Sequence, residues 1–116
     1  MSASVTPLFG DKKNKDTQVL FDRHEINQIM NLYGRMVSAG QWRDYSIDFE
    51  SREARFSAFR RAADRPEISI VKRPDLARKQ GLYALLGEAG QTLKRGSDLK
   101  SLMAPLERRL MKLVEA

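Results

Sequence analysis

Residues 21–50 read FDRHEINQIMNLYGRMVSAGQWRDYSIDFE, and within this one stretch the apolar spacing changes from a helical period to an alternating one. Its opening fixes a helix start. Asp22 stands where an N-cap acceptor is needed, Glu25 three residues later completes a capping box, and Phe21 and Ile26 flank the cap as a hydrophobic staple. From there Ile26, Ile29, Met30, Tyr33, Met36 and Val37 recur at intervals suited to one helical stripe. Gly40 supplies a left-handed stop. Beyond it the period drops to two: Tyr45, Ile47 and Phe49 point one way, and Asp44, Ser46, Asp48 and Glu50 the other, as in a half-buried strand.

Working outward, EARFSAFRR alternates again, with Ala54, Phe56 and Ala58 inward, and the intervening Ser51 and Arg52 are short enough for a hairpin. On that hairpin the row Asp44, Asp48 and Glu50 is expected to face Arg55 and Arg61. Pro66 opens a further strand over residues 67–72, in which Ile68 and Ile70 share a face, and Pro74 ends it because proline cannot donate to a ladder. PDLARKQG predicts one helical turn closed by Gly81, and LYALL and QTLKR, separated by GEAG, predict a second hairpin. The last helix is expected to start from a serine cap at Ser97 and to carry Leu99, Leu102, Met103, Leu106, Leu110, Leu113 and Val114 at helical spacing. Pro105 should kink or split it. Upstream, TQVLF at residues 17–21 reads as a short strand, and the polar residues 1–16 as a flexible tail. The sum is a single α+β domain over residues 17–116, a mostly antiparallel sheet of about five or six short strands with two helices packed on one face.

A chain of 116 residues can bury a core without disulfides, and its lack of cysteine removes thiolate metal ligands and a Cys nucleophile. No apolar run approaches the roughly 18 residues a membrane helix needs. The first residues lack the basic start and apolar block of a secretory signal, so the expected address is cytoplasmic. His24 is the only histidine, which leaves too little material for a triad or a zinc site, and GEAG lacks the lysine and the strand-to-helix setting of a phosphate loop. Asp44 and Asp48 would lie about 13 Å apart by strand rise, too far to share a proton. The chain is therefore expected to be no enzyme and to carry no cofactor or metal.

The net charge of +6 is unevenly spread, with nine cations and four acids from Arg52 to Lys79. Lys72, Arg73, Arg78, Lys79, Lys94 and Arg95 have few acids near them in sequence and are the candidates for an anion-binding or nucleic-acid edge built from a loop and a hairpin end. Neither the aromatic strand motif of an RRM nor the GXXG loop of a KH module accompanies them. Trp42 with Arg43, just past a glycine turn, is the pairing enriched at interface hot spots, while the burial usual for large aromatics favours Trp42 packing the helix end onto the sheet. The terminal LERRLMKLVEA suits either core packing or a homodimer seam, while its shortness argues against a membrane surface. Charge and pattern together favour a non-catalytic, small basic binding module that engages a protein partner, with nucleic acid as the alternative.

The blocks NLYGRMVSAGQWRDYSIDF, FRR, KRPDLARKQGLY and LKRGSDL resemble those of a family of small, uncharacterised alphaproteobacterial proteins classed only as a domain of unknown function. The resemblance spans about residues 17–103; the lysine-bearing tail and the segment after Pro105 depart from it. It implies a bacterial, cytoplasmic protein and carries over no activity, ligand or catalytic residue.

Overall fold

The computed structural model describes residues 18–61 and 65–115. Helix α1 (Arg23–Ser38) is followed by strands β1 (Asp44–Phe49), β2 (Ala54–Phe59) and β3 (Ile68–Lys72), a 3-10 turn (Pro74–Leu76), strands β4 (Tyr83–Leu86) and β5 (Thr92–Gly96), and helix α2 (Leu99–Glu115). The strands form one antiparallel sheet in the order β1-β2-β3-β4-β5, with both helices on one face. The α+β architecture read from the sequence is the one observed. The expected tail over residues 1–16 and Thr17 lie outside the described residues.

The start of α1 is built as its sequence dictates. The Glu25 backbone N–H donates to Asp22 Oδ1 at 2.8 Å, and the Asp22 N–H donates to Glu25 Oε1 at 2.7 Å, a complete capping box. At the other end the Gly40 N–H reaches Val37 O and the Gln41 N–H reaches Met36 O, with Gly40 at φ +76°, which closes the helix in a Schellman motif. The buried stripe is Glu25, Ile29, Leu32 and Met36, so the helix is rolled away from the stripe expected, and Val37 is exposed. Residues 18–21 are not a strand: one backbone bond, Val19 N–H to Glu50 O, joins them to the end of β1. The expected strand is overruled because the chain must turn at Asp22 into the helix, with Phe21 buried and edge-on to Phe49.

The hairpin β1–β2 turns through Ser51 and Arg52, with the Glu50 N–H donating to Glu53 O. Its register opposes Asp48 to Arg55 but Asp44 to Phe59, and Arg55 pairs with Glu53, so the acidic row does not meet an arginine row. Phe56, Ile70 and Leu85 lie side by side on the helix-covered face. On the opposite face Ser57 and Ser69 share a buried hydrogen bond at 3.0 Å beside a small cluster of Val71, Ala84 and Leu86. Gly81, at φ +96°, closes the turn after the 3-10 segment, and a Cβ there would lie 2.8 Å from the Gly96 backbone.

Helix α2 corrects the expected cap and the expected split. Its cap is Asp98, not Ser97: the Leu102 N–H donates to Asp98 O, and Asp98 Oδ2 accepts from both the N–H and the hydroxyl of Ser101. Pro105 sits inside a continuous helix without splitting it. A proline there removes the N–H that would bond the Ser101 carbonyl. Lys94 Nζ takes its place, donating to Ser101 O at 2.7 Å from the neighbouring strand. Replacing Lys94 by Met should therefore destabilise the protein by about 1 kcal/mol and cost close to nothing in a Pro105→Ala background, where the helical N–H returns. Urea unfolding of the four chains of that cycle measures it, and equal costs in both backgrounds would refute the substitution of lysine for the missing amide.

Candidate functional site

The side chains expected to form a basic edge are dispersed by the fold. Lys72 points to the helix-covered face, where its Nζ donates to Glu25 Oε1 at 2.8 Å and to Leu20 O at 2.9 Å. Arg73 donates to Glu53 Oε1 at 2.9 Å. Lys94 is held by the Ser101 carbonyl, on the helix side, whereas Arg95 lies on the opposite sheet face in the row with Val71 and Ala84. Lys72, Arg73 and Lys94 are thus withdrawn from an anion edge by internal partners. Arg78, Lys79 and Arg95 remain exposed, with no side-chain partner among the described residues. The Gly81–Gly96 contact sets the turn that carries Arg78 and Lys79 against the end of β5.

Trp42 is not a surface anchor. It is 1% exposed, stacks on Tyr33, and donates its indole N–H to Glu67 Oε1 at 2.9 Å. Burial of a large aromatic with its one polar atom satisfied is the low-energy placement, and the chain after Gly40 swings it inward. Arg43 is exposed, so the two do not present a joint surface. Glu67 also receives Arg109 at 2.6 Å, while Arg109 donates to Gln41 Oε1 at 2.7 Å and Arg60 stands 3.9 Å away. Glu67 thus ties the start of β3 to α2 and to the turn after α1. Arg35 makes a two-pronged bond to Glu107, at 2.8 and 2.7 Å, joining the two helices on their outer side.

The terminal segment, which the sequence offers as core packing or a homodimer seam, packs on the core only as far as Leu110 and presents an exposed surface at the far end of α2. The helix starts level with the end of β5, and 17 residues span about 25 Å, while a five-residue strand covers about 17 Å. The last turn and a half therefore overhangs the sheet. Residues 111–115 are all exposed, with Met111 at 61%, Leu113 at 41% and Val114 at 76%. Beside them Pro105, Arg108, Arg109, Lys112 and Leu113 line a cleft of about 420 Å³. Arg108 and Lys112 have no side-chain partner among the described residues. The overhang could have been inferred by comparing helix length with strand length; the cleft could not.

Among the described residues no helix is long and apolar enough to cross a membrane, and no three or more His, Asp or Glu are grouped to hold a metal ion. His24 is exposed on the first turn of α1. These residues define a small α+β domain, an antiparallel sheet with two helices on one face and one helix end projecting past it. The chain belongs to the family described as Protein of unknown function (DUF2794), whose model matches residues 19–103. No curated protein and no solved structure matches it. Leu113 and the rest of the cleft lie beyond the matched residues.

Two carboxylates give the fold an acid limit. Burial alone would raise the Glu53 carboxyl, but hydrogen bonds and charge from Arg73 and Arg55 outweigh it and hold it below the usual value. The hydrogen bond from Arg35 does the same for Glu107 against a smaller effect of burial. A carboxyl lowered in the folded state contributes stability that is complete above its ordinary value, about 4.3, and that is lost as pH falls through the lower folded value. Urea unfolding followed by Trp42 fluorescence should show stability falling from pH 5 towards pH 3. Glu53→Gln should be less stable than the parent at pH 7 and show a flatter fall, the two curves converging in acid; parallel curves would contradict the assignment.

Proposed function

We propose that this protein is a small, non-catalytic binding module that docks another protein through the overhanging end of α2, and that it does so in a bacterial cytoplasm. The observation that carries the reading is the run of five exposed helical residues past the sheet, in which Met111, Leu113 and Val114 stand near Arg108 and Lys112, two cations without a side-chain partner among the described residues. Exposed apolar side chains grouped on one projecting element, with basic residues around them, are the composition of a docking surface rather than of a solvated helix end. The chain's own sequence supports the address through its lack of cysteine. Replacing Leu113 and Val114 together by Ser should leave the unfolding midpoint within a few degrees, because neither is in the buried core. The same change should strip the partner captured from cell extract by the parent chain. A captured set identical for parent and variant would sink the reading.

A second reading has its own observation. The Gly81 backbone lies close to that of Gly96, next to Arg95 and two residues after Lys79, and Arg78, Lys79 and Arg95 have no side-chain partner among the described residues. They form a smaller phosphate-binding edge than the six residues expected from the sequence. In fluorescence anisotropy with labelled DNA and RNA, that edge would give an affinity that falls steeply with salt and is lost on Arg78→Glu with Lys79→Glu. No binding at low salt would remove it.

A further inference from the structure

The overhang is more selective than an apolar helix end alone, because of which cations line it and which of those are already engaged. We propose that the segment it holds is acidic, with an apolar anchor and carboxylates spaced one helical turn apart. The proposal rests on the docking surface above and names the chemistry of its occupant. The cleft has Pro105 and Leu113 as its apolar lining, three cations, and no acid. One of the cations, Arg109, is spent on Glu67 and Gln41. The charge left for a ligand is that of Arg108 and Lys112, four residues apart on one helix face and so about 6 Å apart at their Cβ atoms. A partner helix with acids at i and i+4, or a strand with acids at i and i+2, presents carboxylates at nearly that spacing.

The surroundings reinforce the sign. Glu67, which receives Arg109, is also approached by Arg60 at 3.9 Å, and Arg65 stands 3.8 Å from Glu88, so the sheet end next to the overhang brings further arginines whose ion pairs are long. A second copy of this chain docked through the same cleft about a two-fold axis would bring the two Arg108 and Lys112 pairs together with only Glu115, and Glu107 already held by Arg35, near them. A basic segment meets the same repulsion. A bare polyanion would satisfy Arg108 and Lys112 but leave Leu113 in water. An acidic segment with a leucine-sized anchor answers both features, with the apolar contact supplying specificity and the charges a salt-dependent rate of encounter.

The test uses the full chain and three short fluorescein-labelled helical peptides: one with leucines flanked by glutamates at i and i+4, one with the glutamates replaced by lysines, and one with the leucines replaced by serines. Anisotropy at low salt should show the first binding at least about tenfold tighter than either control. Leu113→Ser and the pair Arg108→Glu with Lys112→Glu should each weaken it about tenfold, with unchanged unfolding midpoints. Equal binding of the three peptides, or indifference to both changes, overturns the proposal. Duplex DNA that binds, loses affinity on Arg108→Glu and ignores Leu113→Ser, with no preference for the leucine-bearing peptide, overturns it in favour of a polyanion. If no peptide binds while the Leu113 and Val114 change still strips the captured protein, the acidic occupant is refuted and the docking surface stands. If that change strips nothing, the docking surface itself falls.

Discussion

The Glu25 carboxylate serves three donors at once. Its Oε1 accepts from the Asp22 backbone N–H and from Lys72 Nζ, and its Oε2 accepts from the Tyr83 hydroxyl, while the residue is only 5% exposed. One side chain thus closes the capping box of α1 and fixes that helix to the ends of β3 and β4. A carboxylate so buried is tolerable only when its oxygens are occupied by donors of this strength, and removing one partner of such a pair typically costs about 3–5 kcal/mol. Burial, and then the bond to Glu25, push the Tyr83 hydroxyl well above its ordinary range. The angle of α1 on the sheet, and with it the placement of Tyr33 and Met36 on the core, follow from this anchor.

The same economy explains why a net charge of +6 is a poor map of function. Lys72 completes the Glu25 cluster, Lys94 replaces an amide that Pro105 lacks, Arg73 and Arg55 share Glu53, and Arg109 bridges Glu67 and Gln41. Lys72, Arg73 and Arg109 each join elements that are distant in sequence. Their work is in the fold. The exposed cations without a side-chain partner among the described residues include Arg78 and Lys79 on a turn, Arg95 in β5, and Arg108 and Lys112 on the overhanging helix.

What was legible in the sequence was what depends on neighbours along the chain. The Asp22 box, the Gly40 stop, the Ser51–Arg52 turn and the GEAG hairpin need no knowledge of tertiary partners, and all are found. Glu25 was legible as a cap but not as a core residue, so the stripe of α1 was drawn without it and without Leu32, which lies one helical face with Ile29 and Met36. Trp42 looked like a surface anchor because a glycine turn precedes it; the acceptor that draws it inward, Glu67, is 25 residues away. Asp98 and Ser97 are adjacent capping residues, and the choice between them was decided by the Ser101 hydroxyl. A proline's missing bond can be computed from sequence, yet the lysine that replaces it comes from another strand.

The overhang stands apart from this web of reciprocal bonds. The buried stripe of α2 ends at Leu110, where the sheet ends, so residues 111–115 contribute helix but no core. A chain selected only for folding has no reason to keep Met111, Leu113 and Val114 there, since polar residues of equal helix propensity would hold the turn and lower the exposed apolar area. They stand beyond the buried core, next to Arg108 and Lys112, which have no side-chain partner among the described residues. Because the buried stripe stops at Leu110, these residues can change without touching the core or the anchor at Glu25.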